Sequence, residues 1–164
     1  MGRYSQRIGL LTFCMMFVGS GIVKTFGWTA GAATTPLVMA SLAVPFFACT
    51  FTDVTATRES LLRMVHIGTL QNMLSKSTKY AVFDPTKEMA FVNMDDHDLK
   101  VRGKAAIDVV CARLGKAGGA LVQQGLVLAG FTILETGPVL AGAFSMAIAL
   151  WLTAVARLGK LVPQ

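Results

Sequence analysis

A row of lysines at helical spacing is the first feature of the sequence that could carry chemistry. Placed at about 100° per residue on a helix, five polar side chains share an arc about 100° wide: Thr69, Asn72, Lys76, Lys79 and Tyr80. Ammonium groups removed from water form strong charge-assisted hydrogen bonds with phosphate oxygens. This polar stripe therefore has the chemistry of an anion-binding site.

The surroundings of the stripe decide whether it can bind anything. If this helix lies in a membrane, each lysine that faced lipid would raise the free energy of insertion by about 2.5–3.5 kcal/mol. We therefore expect the stripe to face a protein interior or a water-filled cavity. The alternative is that Lys76 and Lys79 lie at the end of the helix and extend to the membrane interface.

Motifs of soluble enzymes and metal sites are incomplete in this sequence. A phosphate-binding loop needs a glycine five residues before the Gly-Lys pair and Ser or Thr after it, and both Gly-Lys pairs lack these residues. The acidic run near residue 96 lacks the glycine and distal glutamate of a calcium loop, and the three cysteines are far apart. We expect no enzyme activity, metal or cofactor. The residues considered are Gly103-Lys104, Gly115-Lys116, Asp95, Asp96, Asp98, Cys14, Cys49 and Cys111.

The elements that carry these residues are predicted to lie in a membrane. Hydrophobic residues make up 54% of the chain and charged residues 15%, whereas soluble proteins average about 45–50% and about 25%. Charges are absent from four long blocks, and a span needs about 20 apolar residues. The net charge of +6 suits basic residues at helix ends better than a nucleic-acid surface. The charge-free blocks are Ile8–Val23, Thr25–Thr52, Ala117–Leu134 and Thr136–Ala156.

These blocks predict an all-α integral membrane protein with about five transmembrane helices in a single domain, residues 1–164. The first is expected to stop near Gly27-Trp28, and residues 83–103 are expected to form a charged aqueous loop. Lys104 and Asp108 have the i,i+4 spacing of an ion pair. The five predicted spans are Gln6–Thr25, Thr35–Thr52, Met64 to Asp84-Pro85, Gly103–Leu134 and Thr136–Ala156.

Several motifs resemble the ATP/ADP translocases of plastids and obligate intracellular bacteria. The resemblance covers nearly the whole chain and is densest from the polar stripe to residue 124. Its motifs are Gly2-Arg3-Tyr4-Ser5, Thr69-Leu70-Gln71-Asn72, Ser75-Lys76, Lys79-Tyr80, Phe83-Asp84-Pro85-Thr86-Lys87-Glu88-Met89-Ala90, Lys100 to Cys111, Leu114-Gly115-Lys116-Ala117-Gly118-Gly119-Ala120-Leu121 and Gln123-Gln124.

The resemblance implies a fold similar to the major facilitator transporters, in which two six-helix halves surround a central site. The spans would correspond to the last five helices of that fold. It also implies exchange of ATP for ADP. The implied nucleotide-binding residues are Lys76 and Lys79 first, with Asn72 as a hydrogen-bonding partner, and then Lys104 and Lys116. Gating ion pairs are as plausible as nucleotide contacts for Lys87, Glu88 and Asp108.

Five helices would supply half of a central site, so the sequence predicts a fragment or split form of an antiporter. An N-terminal half or other membrane subunits would then complete the bundle. The alternative is an accessory subunit of a larger organellar membrane complex that no longer transports. The expected location is a plastid membrane, such as the inner envelope, or otherwise a bacterial-type inner membrane.

Overall fold

The computed structural model describes residues 2–52, 57–92, 96–131 and 133–161, and the ordered elements are helical throughout. The α-helices are α1 (Gly2–Thr52), α2 (Arg58–Thr78), α3 (Asp84–Val92), α4 (His97–Ala105), α5 (Ala112–Leu128) and α6 (Ile133–Leu158). Two π-helical turns continue these helices: π1 (Lys79–Phe83) joins α2 to α3, and π2 (Ala106–Cys111) joins α4 to α5.

Helix α1 is broken at Gly27, as the sequence predicts. Gly27 has φ 80° and ψ −179°, a conformation that essentially only glycine adopts. The break divides α1 into an N-terminal arm, residues 2–26, and a C-terminal arm, residues 28–52. The C-terminal arm is helical from Trp28 onward, so the predicted start of the second helix at Thr35 is wrong. Pro36 and Pro45 both lie inside the helix.

Helix α6 packs against the C-terminal arm in the antiparallel direction. A Cβ atom at Gly159 would collide with Thr29 Oγ1, and one at Gly137 would lie 3.1 Å from Thr50 Cγ2. Trp28, Ala32 and Val155 form a small buried cluster between the two helices. This close approach places the C-terminal end of α6 beside the break in α1.

The N-terminal arm packs against π1. A Cβ atom at Gly19 would lie 2.8 Å from Val82 Cγ2 and 3.2 Å from the carbonyl oxygen of Ala81. Ala81 and Val82 are both buried. Thr86, one turn further along, is also buried, and its carbonyl accepts a hydrogen bond of 2.8 Å from Trp28 Nε1. Both arms of α1 therefore fix the position of π1 and α3.

The segment 83–103 is not the loop that its charge suggests. Residues 84–92 form α3, and α4 begins at His97. Asp96 caps α4, because its Oδ1 atom accepts hydrogen bonds of 2.9 and 3.2 Å from the backbone N–H groups of Asp98 and Leu99. A capping carboxylate of this kind stabilises a helix N-terminus. Asp95 lies outside the described residues.

Two described helices are long and apolar enough to cross a membrane: Ser5–Phe51 within α1, and Thr136–Leu158 within α6. The second matches the predicted last span. A straight helix of 47 residues would be about 70 Å long, more than twice the thickness of the bilayer core. The predicted number of five spans is not confirmed.

Much of the surface is apolar. Large hydrophobic side chains such as Phe26, Leu121 and Leu128 are exposed, and α5 contributes no buried residue. Exposed apolar surface on this scale is typical of contact with lipid or with other helices. Gly115 and Gly119 have the spacing of the GxxxG motif of packed membrane helices, but nothing lies within 4 Å of an added Cβ at either glycine, so close packing of this pair is not seen among the described residues.

Candidate functional site

A cavity of about 1120 Å³ lies between the break in α1, the π1–α3 segment, the π2–α5 junction and the end of α6. Its walls are of two kinds. We call the charged side chains the charged wall and the apolar and aromatic ones the aromatic wall, although Phe83 and Phe91 share the π1–α3 segment with most of the charged residues. The charged wall consists of Lys79, Asp84, Lys87, Glu88 and Asp108, and the aromatic wall includes Trp28, Phe83, Phe91 and Trp151. Binding sites for small molecules are typically apolar cavities with a few convergent polar groups.

The π1 turn creates the first ion pair of the cavity. Residues five apart lie about 140° apart around an α-helix, which would separate Lys79 from Asp84. In π1 the backbone N–H of Asp84 instead donates to the carbonyl of Lys79, the i→i+5 bond of a π-helix. Lys79 Nζ thereby reaches both carboxylate oxygens of Asp84, at 2.9 and 3.1 Å.

Two further ion pairs join α3 to α4 and π2. Lys87 donates a short hydrogen bond to Asp108 and also lies 3.9 Å from a carboxylate oxygen of Glu88. Lys104 donates to the other oxygen of Glu88 at 2.6 Å. The predicted ion pair between Lys104 and Asp108 is therefore wrong, because each of these residues binds a partner on α3 instead.

Lys87 is the least exposed lysine of this network. Its side chain is 20% exposed, against 50% for Lys79 and 45% for Lys104. The three lysines face three carboxylates, so the network is formally neutral. Such a network places ammonium groups at the cavity without leaving an uncompensated charge. An anionic ligand could bind these lysines by replacing their carboxylate partners.

The aromatic wall contains one buried, hydrogen-bonded ring and two rings that are partly exposed. Trp28 is 7% exposed and is held by its hydrogen bond to the carbonyl of Thr86. Phe83 and Trp151 meet edge to face, with ring centroids 5.0 Å apart and planes at 83°. Both of these rings are only partly buried, so part of each remains available at the cavity surface.

The structure brings together some of the predicted site residues and separates others. Lys79, Lys87, Glu88 and Asp108 line the cavity, and Lys104 joins them through Glu88. Asn72, Lys76 and Lys116 are exposed and are not among the cavity-lining residues. Asn72 lines a second, shallower cavity of about 510 Å³ together with Phe46 and Gly68.

The polar stripe runs from α2 into π1 and is exposed within the part of the chain that the structure describes. All five of its side chains are exposed, and the buried residues of α2 are Ser60, Ser77 and Thr78. Lys79 lines the large cavity and Asn72 the shallower one, and the expectation that the whole stripe faces a protein interior or a water-filled cavity stays a prediction. Lys79 reaches the cavity from the first position of π1.

The sequence reasoning missed Asp84, Phe83 and Trp151 as site residues. Asp84 follows Lys79 by five residues, a spacing that does not match an ion pair on an α-helix. Trp151 lies in an apolar span, where a tryptophan is typical of ordinary packing. Its proximity to Phe83 depends on a long-range contact, and no local pattern signals such a contact.

Long apolar helices around a cavity with paired charges are typical of integral membrane transport proteins, in which ionisable groups mark the path of a substrate. Residues 1–161 match the sequence model of the TLC ATP/ADP transporter family. The chain therefore belongs to this family and is an integral membrane protein.

Curated relatives come from bacteria and plants. The chain is 44% identical to ADP,ATP carrier protein 1 of Chlamydia trachomatis over 98% of its length, and this covers 32% of the relative. It is 41% identical to the plastidic ATP/ADP-transporter of Solanum tuberosum over 96% of its length, which covers 26% of that relative. It is 37% identical to ADP,ATP carrier protein 1 of Rickettsia bellii over 98% of its length, which covers 34% of that relative.

The chain thus spans about a quarter to a third of the length of these relatives. Their names describe carriers and transporters, not enzymes, which fits the expectation of a non-enzymatic protein. No solved structure matches the chain.

Proposed function

We propose that the chain takes part in the exchange of ATP and ADP across a membrane, and that the charged wall of the cavity binds the polyphosphate group of the nucleotide. The observation that carries this proposal is a network of three lysine–carboxylate pairs, in which Lys79 and Lys87 line the cavity and Lys104 pairs with the cavity-lining Glu88. Membership of the TLC ATP/ADP transporter family and the names of the relatives supply the substrate.

Phosphate oxygens would compete with Asp84, Asp108 and Glu88 for the lysines. Lys87 is the first choice for nucleotide contact, because it is the most enclosed lysine and lies between two carboxylates. Lys79 is the second choice, at the end of π1. Asn72, Lys76 and Lys116 would contact the nucleotide only if further helices enclosed them, which is the arrangement expected of half a central site.

The same ion pairs would also act as a gate. Lys87–Asp108 and Lys104–Glu88 connect α3 to α4 and π2. If a nucleotide bound these lysines in place of their carboxylate partners, the ion pairs between α3 and the α4–π2 segment would break, and α3 could move apart from that segment. Alternating access depends on such relative movement of helix groups around a fixed site.

The membrane would be that of a plastid or of an intracellular bacterium, by analogy with the named relatives. The partners would be ATP, ADP and the helices that complete the bundle. Nothing in the comparisons favours the alternative of a non-transporting accessory subunit.

Transport of labelled ATP tests the proposal. The chain would be co-expressed with the N-terminal half of a close relative in cells or reconstituted vesicles, and exchange of external ATP for internal ADP would be measured. Loss of one charge-assisted contact predicts a roughly 10- to 100-fold decrease in apparent affinity for ATP in Lys87→Gln.

The matched control is Lys24→Gln, because Lys24 is exposed on α1 and does not line the cavity. Membrane insertion of each variant would be checked by extraction and by protease digestion. Normal exchange by correctly inserted Lys87→Gln would refute the assignment of Lys87. Failure of the unmodified pair to exchange nucleotides would refute the proposed function.

A further inference from the structure

The aromatic wall of the cavity is not needed to explain binding of phosphate. Phe83 and Trp151 lie on different helical segments, π1 and α6, and meet edge to face at the cavity with centroids 5.0 Å apart. Phe91 on α3 lines the same cavity. Each ring provides an apolar face that a polyphosphate would not use.

The position of Phe83 links the two walls. Phe83 is the last residue of π1 and directly precedes Asp84, the partner of Lys79. A ligand bound at the charged wall would therefore lie near the aromatic wall as well. Trp28 cannot provide the same surface, because it is 7% exposed and its N–H is committed to Thr86.

We propose that Phe83 and Trp151 form the subsite for the base of the nucleotide, next to the lysines that hold its phosphates. This inference rests on the proposed function. Stacking on aromatic rings tolerates any base, because every base has a π-face. The subsite would thus distinguish a nucleotide from a bare polyphosphate and would not by itself select one base.

Three ligands distinguish the contributions of the two walls to binding: ATP, adenosine and inorganic triphosphate. Their affinities would be measured for the full chain in detergent or vesicles, by calorimetry. Trp151→Leu should weaken binding of ATP and adenosine by roughly 5- to 100-fold and leave triphosphate binding unchanged. Trp151→Phe, which keeps a ring, should retain most of the affinity for ATP.

Two further variants serve as checks. Phe83→Leu removes the other ring from a different segment and should reproduce the pattern of Trp151→Leu. Phe144→Leu is the matched control on α6, because Phe144 packs against Phe47 and does not line the cavity. Unchanged triphosphate binding in each variant shows that the fold is intact.

The outcomes distinguish this subsite from the proposed function. Equal loss of ATP and triphosphate binding in Trp151→Leu and Phe83→Leu would overturn the subsite, as would unchanged binding of ATP and adenosine. If the unmodified chain bound neither ATP nor triphosphate, the proposed function would fail. Adenosine binding that depended on Trp151 would then still support the aromatic subsite.

Discussion

Replacement of Gly19 by alanine tests the contact that positions π1. An added Cβ would lie 2.8 Å from Val82 Cγ2 and 3.2 Å from the carbonyl oxygen of Ala81. Neither atom can move away easily, because Ala81 O belongs to the backbone and Val82 is a buried, β-branched residue. The arm 2–26 must therefore move away from π1, or π1 must distort.

The expected magnitude follows from two opposing effects. An extra methyl group in a tight contact costs about 1–3 kcal/mol, whereas Gly→Ala inside a helix contributes about 1 kcal/mol of stability. Gly21 is the matched control: it lies on the same arm, and nothing lies within 4 Å of its added Cβ. Gly19→Ala should thus be less stable than Gly21→Ala by about 1–3 kcal/mol.

Unfolding of both variants in the same detergent measures this difference. The midpoint of thermal unfolding of Gly19→Ala should fall by about 2–4 °C for each kcal/mol of lost stability in a chain of this size. Nucleotide affinity should also fall in Gly19→Ala, because π1 holds Lys79 next to the cavity. Equal stability and equal affinity of the two variants would refute the packing of the arm against π1.

Three other predictions concern the charge network, the aromatic wall and the membrane topology. Asp108→Asn should raise the affinity for inorganic triphosphate several-fold by removing a competitor of Lys87, and unchanged or weaker binding by calorimetry would contradict this competition. Trp28→Phe should lower the free energy of unfolding by about 1–3 kcal/mol in denaturant titrations, because the carbonyl of Thr86 loses a buried donor. Protease sites inserted at residues 93–95 and at the C-terminus should be accessible from the same side if α5 spans the membrane, whereas opposite accessibility would show that α5 does not.

The features that could be predicted from the sequence are local. The break near Gly27-Trp28 follows from a glycine that can adopt positive φ. The last span follows from a long charge-free block, and α6 contains it. The family follows from motifs that can be read directly along the chain. Each of these depends on residues that are neighbours in the sequence.

The features that could not be predicted depend on register and on distant contacts. A pattern at 100° per residue assumes an α-helix and cannot reveal π1 or π2. The partners of Lys87 and Lys104 lie 21 and 16 residues away, beyond the reach of the i,i+4 rule. The charge density at 83–103 predicted a loop, yet residues 84–92 form α3, and Asp84, Lys87 and Glu88 pair with side chains outside the segment.

Under the proposed function, the neutrality of the network would limit how a nucleotide binds. Lys79, Lys87 and Lys104 are already balanced by carboxylates, so a polyphosphate cannot simply add to the cavity without bringing excess negative charge. It must displace the carboxylates, and these can return to water, because the side chains of Asp84, Asp108 and Glu88 are 33%, 34% and 44% exposed. The enclosed Lys87 and its more exposed partner Asp108 would thus allow an exchange of partners, and under the proposed function this exchange would couple occupation of the cavity to the contacts between α3 and π2.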